Sequence, residues 1–273
     1  MRTAVFACAK LENNYIREWV SWYKNLGFTN VIIYDNNDVD GEKVSDAISD
    51  YIEEGFAIVE DFRGKYPGAA QAYAYQDAYD KYGKLFDWIA VFDIDEFLTL
   101  NERFHNIEAY LSMGCFKGRD LIRVSWRMYG DNGFLKVENG DYSLVNRFKE
   151  PLKTQARWTK AIIHGGIPEL EIPKYGDGQA HLVNVKQVKD AVDANGIPVS
   201  NKTIRDGCGF ENAALNHYST KTIEEFVLNK IKKGYGTAGL DPDKILNIDY
   251  FFGQNERTKE KEDIYKELIS KVR

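Results

Sequence analysis

The chain opens on an alternation of two hydrophobic patterns. Thr3 to Cys8 is a continuous apolar run, the length of a strand buried on both faces, and Tyr15 to Leu26 then sets Ile16, Trp19, Val20 and Tyr23 on one helical face before Gly27. Val31 to Tyr34 predicts a second strand. Val44, Ala47, Ile48, Tyr51 and Ile52 give the next helix a buried stripe that stops at Gly55, and Phe56 to Val59 predicts a third strand. A third helix is expected over Ala69 to Tyr82, started near Pro67-Gly68 and stopped by Gly83, ahead of a fourth strand at Trp88 to Phe92. Apolar strands separated by amphipathic helices predict a parallel sheet covered on both faces and joined by right-handed crossovers.

After Leu100 the rhythm changes. Leu121 to Trp126, Ser143 to Phe148, Lys160 to His164 and His181 to Val185 read as strands, separated by turn-rich stretches such as Gly130-Asp131-Asn132-Gly133 and Tyr175-Gly176-Asp177-Gly178. This half is expected to be mixed or antiparallel. Ile223 to Lys233 predicts a helix with a basic end, and the Lys- and Glu-rich stretch after Arg257 a solvated helix or frayed tail.

Composition narrows the class. With 44% apolar and 14% aromatic residues among 273, the chain can bury a substantial core. A net charge of -6 and a pI near 5.4 argue against broad nucleic-acid binding, which needs clustered cations. Cys8, Cys115 and Cys208 form no C-x-x-C pair, so neither a disulfide framework nor a zinc site is expected and a reducing cytoplasm fits. Met1 to Ala9 is too short for a signal peptide, and no run is long enough for a membrane span, so any membrane role is expected to be peripheral.

In a sheet of this kind ligands sit at the carboxyl ends of the strands. Polar residues follow each predicted strand: Lys10 and Glu12, then Asp35-Asn36-Asn37, then Asp61 and Arg63, then Asp93-Ile94-Asp95-Glu96. Asp93 and Asp95 carry the sharpest signal. Two carboxylates two residues apart, where an apolar strand yields to a turn, can share a hard divalent cation that bridges a diphosphate. The plainer alternative is that acids end strands as turn formers and caps. Asp35 and Asn36 suit contacts to a base or ribose, although a simple turn explains them as well. His217, ahead of the Ile223 helix, is a candidate third metal ligand, while His164 and His181 sit at strand edges; a lone histidine is more often a structural residue than a ligand. Arg157, Lys160 and Lys174 are candidate phosphate-neutralising cations. Trp126, Tyr129, Trp158 and Tyr175 suit a sugar-stacking groove or ordinary core packing.

Several ordered fragments together resemble glycosyltransferase family 92 and related bacterial family-2-like transferases of GT-A fold. They are Lys10-Leu11-Glu12, Glu18-Trp19 with Leu26-Gly27-Phe28, Tyr34-Asp35-Asn36 with Asp40, Gln71 with Tyr75, and Trp88-Ile89 through Phe92-Asp93-Ile94-Asp95-Glu96-Phe97. Val124 to Gly130 and Asn216-His217-Tyr218 with Lys221, Glu225-Phe226 and Lys230 look like later blocks. Members often carry Asn where Leu11 stands.

The resemblance implies a GT-A type α/β fold. Residues 1–100 would be the nucleotide-sugar-binding half, 101–240 the acceptor-binding and metal-completing half, and 241–273 a helical tail. It implies that Asp93 and Asp95, with His217, hold Mn2+ or Mg2+ against the diphosphate of a nucleotide-sugar, a UDP-sugar by expectation. Lys10, Glu12, Asp35, Asn36, Arg63 and Gln71 would line the donor pocket. It further implies inverting transfer to a glycan or glycolipid hydroxyl in cell-surface polysaccharide or lipopolysaccharide assembly, with Asp131, Glu211 or Glu96 as base. The competing readings are a non-catalytic nucleotide-sugar-binding subunit, a glycoside hydrolase, whose carboxylates straddle a bond several ångströms apart, and a nucleotidyltransferase, which would want glycines after strand one.

Overall fold

In the computed structural model, which describes residues 1–66, 70–154, 158–172, 187–200, 209–233 and 248–272, the first hundred residues build the expected parallel sheet. β1 (Thr3–Ala9) pairs in parallel with β2 (Asn30–Asp35) and, on its other edge, with β4 (Trp88–Val91); β2 pairs with β3 (Ala57–Asp61). Successive β1 side chains face opposite ways, as strand geometry requires. Val5, Ala7 and Ala9 join the core that holds α1 (Asn13–Asn25), whereas Ala4 and Phe6 join the one that holds α4 (Ala70–Tyr82). Tyr15, Ile16, Trp19, Val20 and Tyr23 of α1 are all buried, and each aliphatic side chain there contributes about 1.5–3 kcal/mol. Gly27 ends this helix at φ 89°, a conformation glycine adopts without a Cβ penalty.

The single helix expected over Val44 to Ile52 is two short ones, α2 (Val44–Ala47) and α3 (Ser49–Glu53). Ile48 leaves helical backbone at the break, and its side chain is fully buried in the core; packing takes precedence over helical continuity.

Beyond residue 95 the sheet becomes mixed. β5 (Glu96–Leu100), β6 (Leu121–Met128), β7 (Thr159–His164), β8 (Ala191–Asp193) and β9 (Ala213–His217) extend it in the order β3-β2-β1-β4-β7-β6-β9-β5, with β8 also on β6. β7 runs antiparallel to β4 and β6, while β9 runs parallel to β6 and antiparallel to β5. The fold is α/β, with a parallel first half and a mixed second half. Short helices α5 (Ile107–Leu111) and α6 (Leu144–Arg147) lie between strands. α6 corrects the strand expected over Ser143 to Phe148: the Ser143 hydroxyl accepts the Asn146 N–H as an N-cap, and Glu18 accepts from the Ser143 hydroxyl and the Leu144 N–H. The strand expected at His181 to Val185 lies outside the described residues.

The helix expected at Ile223 begins as α7 (Ile223–Glu225) under a capping box of Thr222 and Glu225, then widens into a π-helical segment, Phe226–Ile231. Ile223, Phe226, Val227 and Ile231 form a separate apolar cluster with Phe251 of α8 (Ile248–Phe252). The helix expected after Arg257 is present as α9 (Lys259–Val272), and Ile264, Tyr265, Leu268 and Ile269 on one of its faces pack against this cluster. Among the described residues no helix is long and apolar enough to cross a membrane.

Candidate active site

The turn from Asp93 to Glu96 joins β4 to β5 at the carboxyl end of the parallel strands, and α1 fixes its shape. The Trp19 indole N–H donates to the carbonyls of Asp93 at 3.0 Å and Glu96 at 3.1 Å, and the Tyr23 hydroxyl donates to the Glu96 carbonyl at 3.0 Å. The Glu96 carboxylate accepts the Asp93 N–H at 2.8 Å, closing the turn from inside. The two acids at positions 93 and 95 therefore leave a backbone whose carbonyls are held by buried donors.

Each acid meets cations from the second half of the chain. Asp93 accepts from Lys160 of β7 at 2.9 Å, from Tyr75 of α4 at 3.2 Å, and from Gln71 of the same helix. Asp95 lies 3.6 Å from His217 Nε2 and 3.4 Å from both Lys221 and Lys230. β9 makes this possible: His217 pairs with Glu96 of β5 and Met128 of β6, and the Tyr218 N–H donates to the Asp95 carbonyl. Just outside, Lys233 pairs with Glu12 at 2.8 Å.

Burial sets the protonation states. For Asp95, burial alone would raise the carboxyl's pKa, but Lys230 and Lys221 hold it well below the usual range. Lys160 does the same for Asp93 against its own burial. Glu96 goes the other way: it is fully buried, and desolvation, reinforced by Asp93 and Asp95, outweighs Lys160 and pushes it well up. Burial lowers His217, leaving a neutral imidazole able to offer a lone pair. Burial also pushes the Cys8 thiol up to about 12, so it is no nucleophile at neutral pH.

The remaining sequence-expected residues divide by position. Gln71 and Glu12 reach the network directly. Asp35 is buried, and its two oxygens accept the N–H groups of Asn37 and Val44, so it shapes the loop after β2; Asn36 is tied to β1 through its own N–H to the Ala9 carbonyl. Lys10, just after β1, pairs with Asp38 beyond β2, and Arg63 pairs with Asp61 at the end of β3. Asp131 follows the end of β6 level with His217, but its carboxylate is buried against Lys261 of α9 at 2.5 Å. Glu211 precedes the far end of β9, beside Asn101 and Asn195, and is not brought to the turn. Glu96 has no exposed surface from which to receive a proton. His164 is exposed at the outer end of β7. Arg157, Lys174, Tyr175 and His181 lie outside the described residues.

Lys221, Lys230 and Lys233 bring positive charge to Asp95 and Glu12; Lys221 and Lys230 belong to the blocks that carry the family resemblance, whereas Lys233 had only its place at a basic helix end, which ordinarily faces solvent. Trp126 leans on the His217 ring, 4.2 Å between centroids, and on Trp158 at 6.2 Å. Both tryptophans, with Tyr250, Lys153, Thr154 and Gln254, line a cavity of about 500 Å³. Among the described residues no three His, Cys, Asp or Glu groups converge as a complete metal cage. Asp95 and His217 present two donors suited to Mn2+ or Mg2+, and Asp93 is turned to Gln71 and Lys160.

No curated protein sequence matches the chain. Solved structures of low similarity include Staphylococcus aureus TarS, 13% identical with a TM-score of 0.43 over 98% of this chain; the chain spans only 43% of that one. A TarS 1-349 complex with UDP-GlcNAc is 12% identical with a TM-score of 0.44, covering 98% of this chain and 72% of that one. A mannosyltransferase from Pyrobaculum calidifontis, in complex with GDP-Man and Mn2+, is 13% identical with a TM-score of 0.33, covering 46% and 36%. Residues 4–164, more than half of the sequence, match glycosyltransferase family 92, and the chain belongs to that family.

Proposed function

We propose that the chain moves a sugar from a nucleotide-sugar, a UDP-sugar by preference, to a hydroxyl of a glycan or glycolipid, on a domain of GT-A type. The observation that carries this reading is the meeting of Asp93, Asp95, Lys160, Lys221, Lys230 and His217 at the carboxyl end of β4, where a parallel sheet receives a ligand. Residues 1–100 would cradle the nucleotide, with Lys10, Asp35, Asn36 and Arg63 along the rim of the sheet, and 101–240 would complete the site.

Transfer needs the leaving diphosphate stabilised, the acceptor oriented and its proton removed. Asp95 and His217, with Asp93 beside them, would hold Mn2+ or Mg2+, which supplies Lewis-acid neutralisation of the departing charge. The chain's own groups do the rest. Trp19 and Tyr23 fix the Asp93–Glu96 backbone, and the lysines set a positive field around the phosphates. The cavity walled by Trp126 and Trp158 is linked to His217 through the Trp126 ring and suits a sugar ring, whose C–H faces stack on indoles. For an inverting displacement the base must lie on the acceptor side. Of the three carboxylates considered, Asp131 is at the correct end of the sheet, and a proton transfer to it would require the Lys261 pair to loosen. Asp95→Asn should lower release of nucleoside diphosphate from the cognate donor at least ~1,000-fold, measured by coupled assay across UDP- and GDP-sugars with Mn2+. Turnover equal to wild type in that variant would refute the assignment.

A further inference from the structure

We propose that Lys221, Lys230 and Lys233 form an anion clamp that binds the donor's diphosphate through ammonium groups, with Glu12 taking a hydroxyl of the attached nucleoside. This rests on the nucleotide-sugar reading and deepens it. The three lysines and Glu12 line one small cleft together with Tyr15 and Asn229.

Charge is the first argument. Lys221 and Lys230 both address one oxygen of Asp95, at 3.4 Å each, and Lys233 has only Glu12 within salt-bridge reach among the described residues. Around the cleft the three ammonium groups of Lys221, Lys230 and Lys233 face two carboxylates, Asp95 and Glu12, while Glu225 is taken by Arg147, so the cluster carries a surplus of positive charge. Taking ammonium groups out of water costs several kcal/mol per ion, on the order stated for buried pairs, and an incomplete set of counter-charges does not repay it. A phosphate dianion does.

The second argument is an orphaned acceptor. Glu12 is 5% exposed, and its Oε2 has no hydrogen-bond partner while Oε1 takes Lys233. A buried carboxylate oxygen without a donor is unfavourable, and a ligand hydroxyl in the cleft would satisfy it. Backbone strain borders the same place: Leu11 at φ 54° and Lys221 at φ 55° are non-glycine residues in left-handed backbone, a feature that gathers at ligand sites. The π-helical segment contributes by widening the helix where Lys230 projects.

Access is provided by the lysines themselves. The side chains of Lys230 and Lys233 are 24% and 23% exposed, so both can turn from carboxylate to phosphate oxygens without unfolding the helix. Donor entry is then an exchange of ion-pair partners: Lys230 and Lys221 pass from Asp95 to the diphosphate, which frees Asp95.

The test is calorimetric titration of the full chain in EDTA with UDP, GDP and inorganic pyrophosphate, repeated with Mn2+. A nucleoside diphosphate should bind without metal, more weakly as salt rises, and its Kd should increase at least tenfold in Lys230→Met and in Lys233→Met. Glu12→Gln should weaken the nucleoside diphosphate about fivefold, on the order expected for one lost hydrogen bond, and leave pyrophosphate unchanged. Lys233→Met keeps both lysine partners of Asp95, so a folding defect in Lys230→Met does not remove the test. Binding that appears only with Mn2+ and is unchanged in both lysine variants overturns the clamp and leaves the donor reading standing. Absence of binding by any of the three ligands, with or without Mn2+, overturns both.

Discussion

Two groups of charges sit at the carboxyl ends of different strands of one parallel sheet and behave differently. At the end of β4, Asp95 and Lys160 are buried, and lysines from three places in the chain converge on one turn. At the outer ends of β2 and β3, Lys10–Asp38 and Arg63–Asp61 are pairs whose acids lie open to water. In the buried group low polarizability strengthens each interaction and makes each unmatched charge costly; in the outer group water and salt screen both effects. The difference teaches where chemistry can be supported: a preorganised field exists at β4 and not at the rim.

The largest effect expected in breaking this contrast comes from the scaffold of the buried side. Glu225 receives a bidentate Arg147, the Tyr15 hydroxyl and the Thr222 cap, all buried. Glu225→Ala should cost about 3–5 kcal/mol in urea denaturation. Burial raises this carboxyl, but Arg147 holds it below its unfolded value of 4.5. Its stabilisation is therefore full above that pH and lost as pH falls below it, so wild type and variant should converge on acidification.

Trp19→Phe is next. It removes the indole donor shared by the Asp93 and Glu96 carbonyls, and about 1–3 kcal/mol of stability should go with it. Donor turnover should fall further than the melting temperature suggests, because the turn carrying both acids loosens; a fall in stability with kcat unchanged would make Trp19 a core residue only. Smaller again, Leu11→Asn should raise stability by about 1 kcal/mol, since Asn tolerates left-handed backbone better than Leu. Arg63→Ala should leave the melting temperature unchanged at physiological salt, as its guanidinium pairs with a carboxylate that is open to water. A clear shift there would dissolve the distinction between rim and turn.

The parallel half was legible because its strands are unbroken apolar runs and its helices carry wide buried stripes. β9 was not: Ala213-Ala214-Leu215-Asn216-His217 has one large hydrophobe, and it is a strand because β6 and β5 pair on its two edges. Ser143 to Phe148 mimics strand alternation over too few residues, and a local cap by Ser143 decides for helix. Asp93 and Asp95 stood out as acids after an apolar run. Lys160 was only one of several candidate cations, and Lys221 and Lys230 stood out only within the family resemblance, since their pairing with the turn is set by residues far earlier in the chain.

The most direct test is a crystal structure of the chain soaked with UDP and Mn2+. Diphosphate density between Asp95 and Lys230, with the nucleoside toward Glu12, is the result expected. Density confined to the tryptophan-walled cavity or to the outer ends of β2 and β3, with Lys230 still on Asp95, would contradict the account.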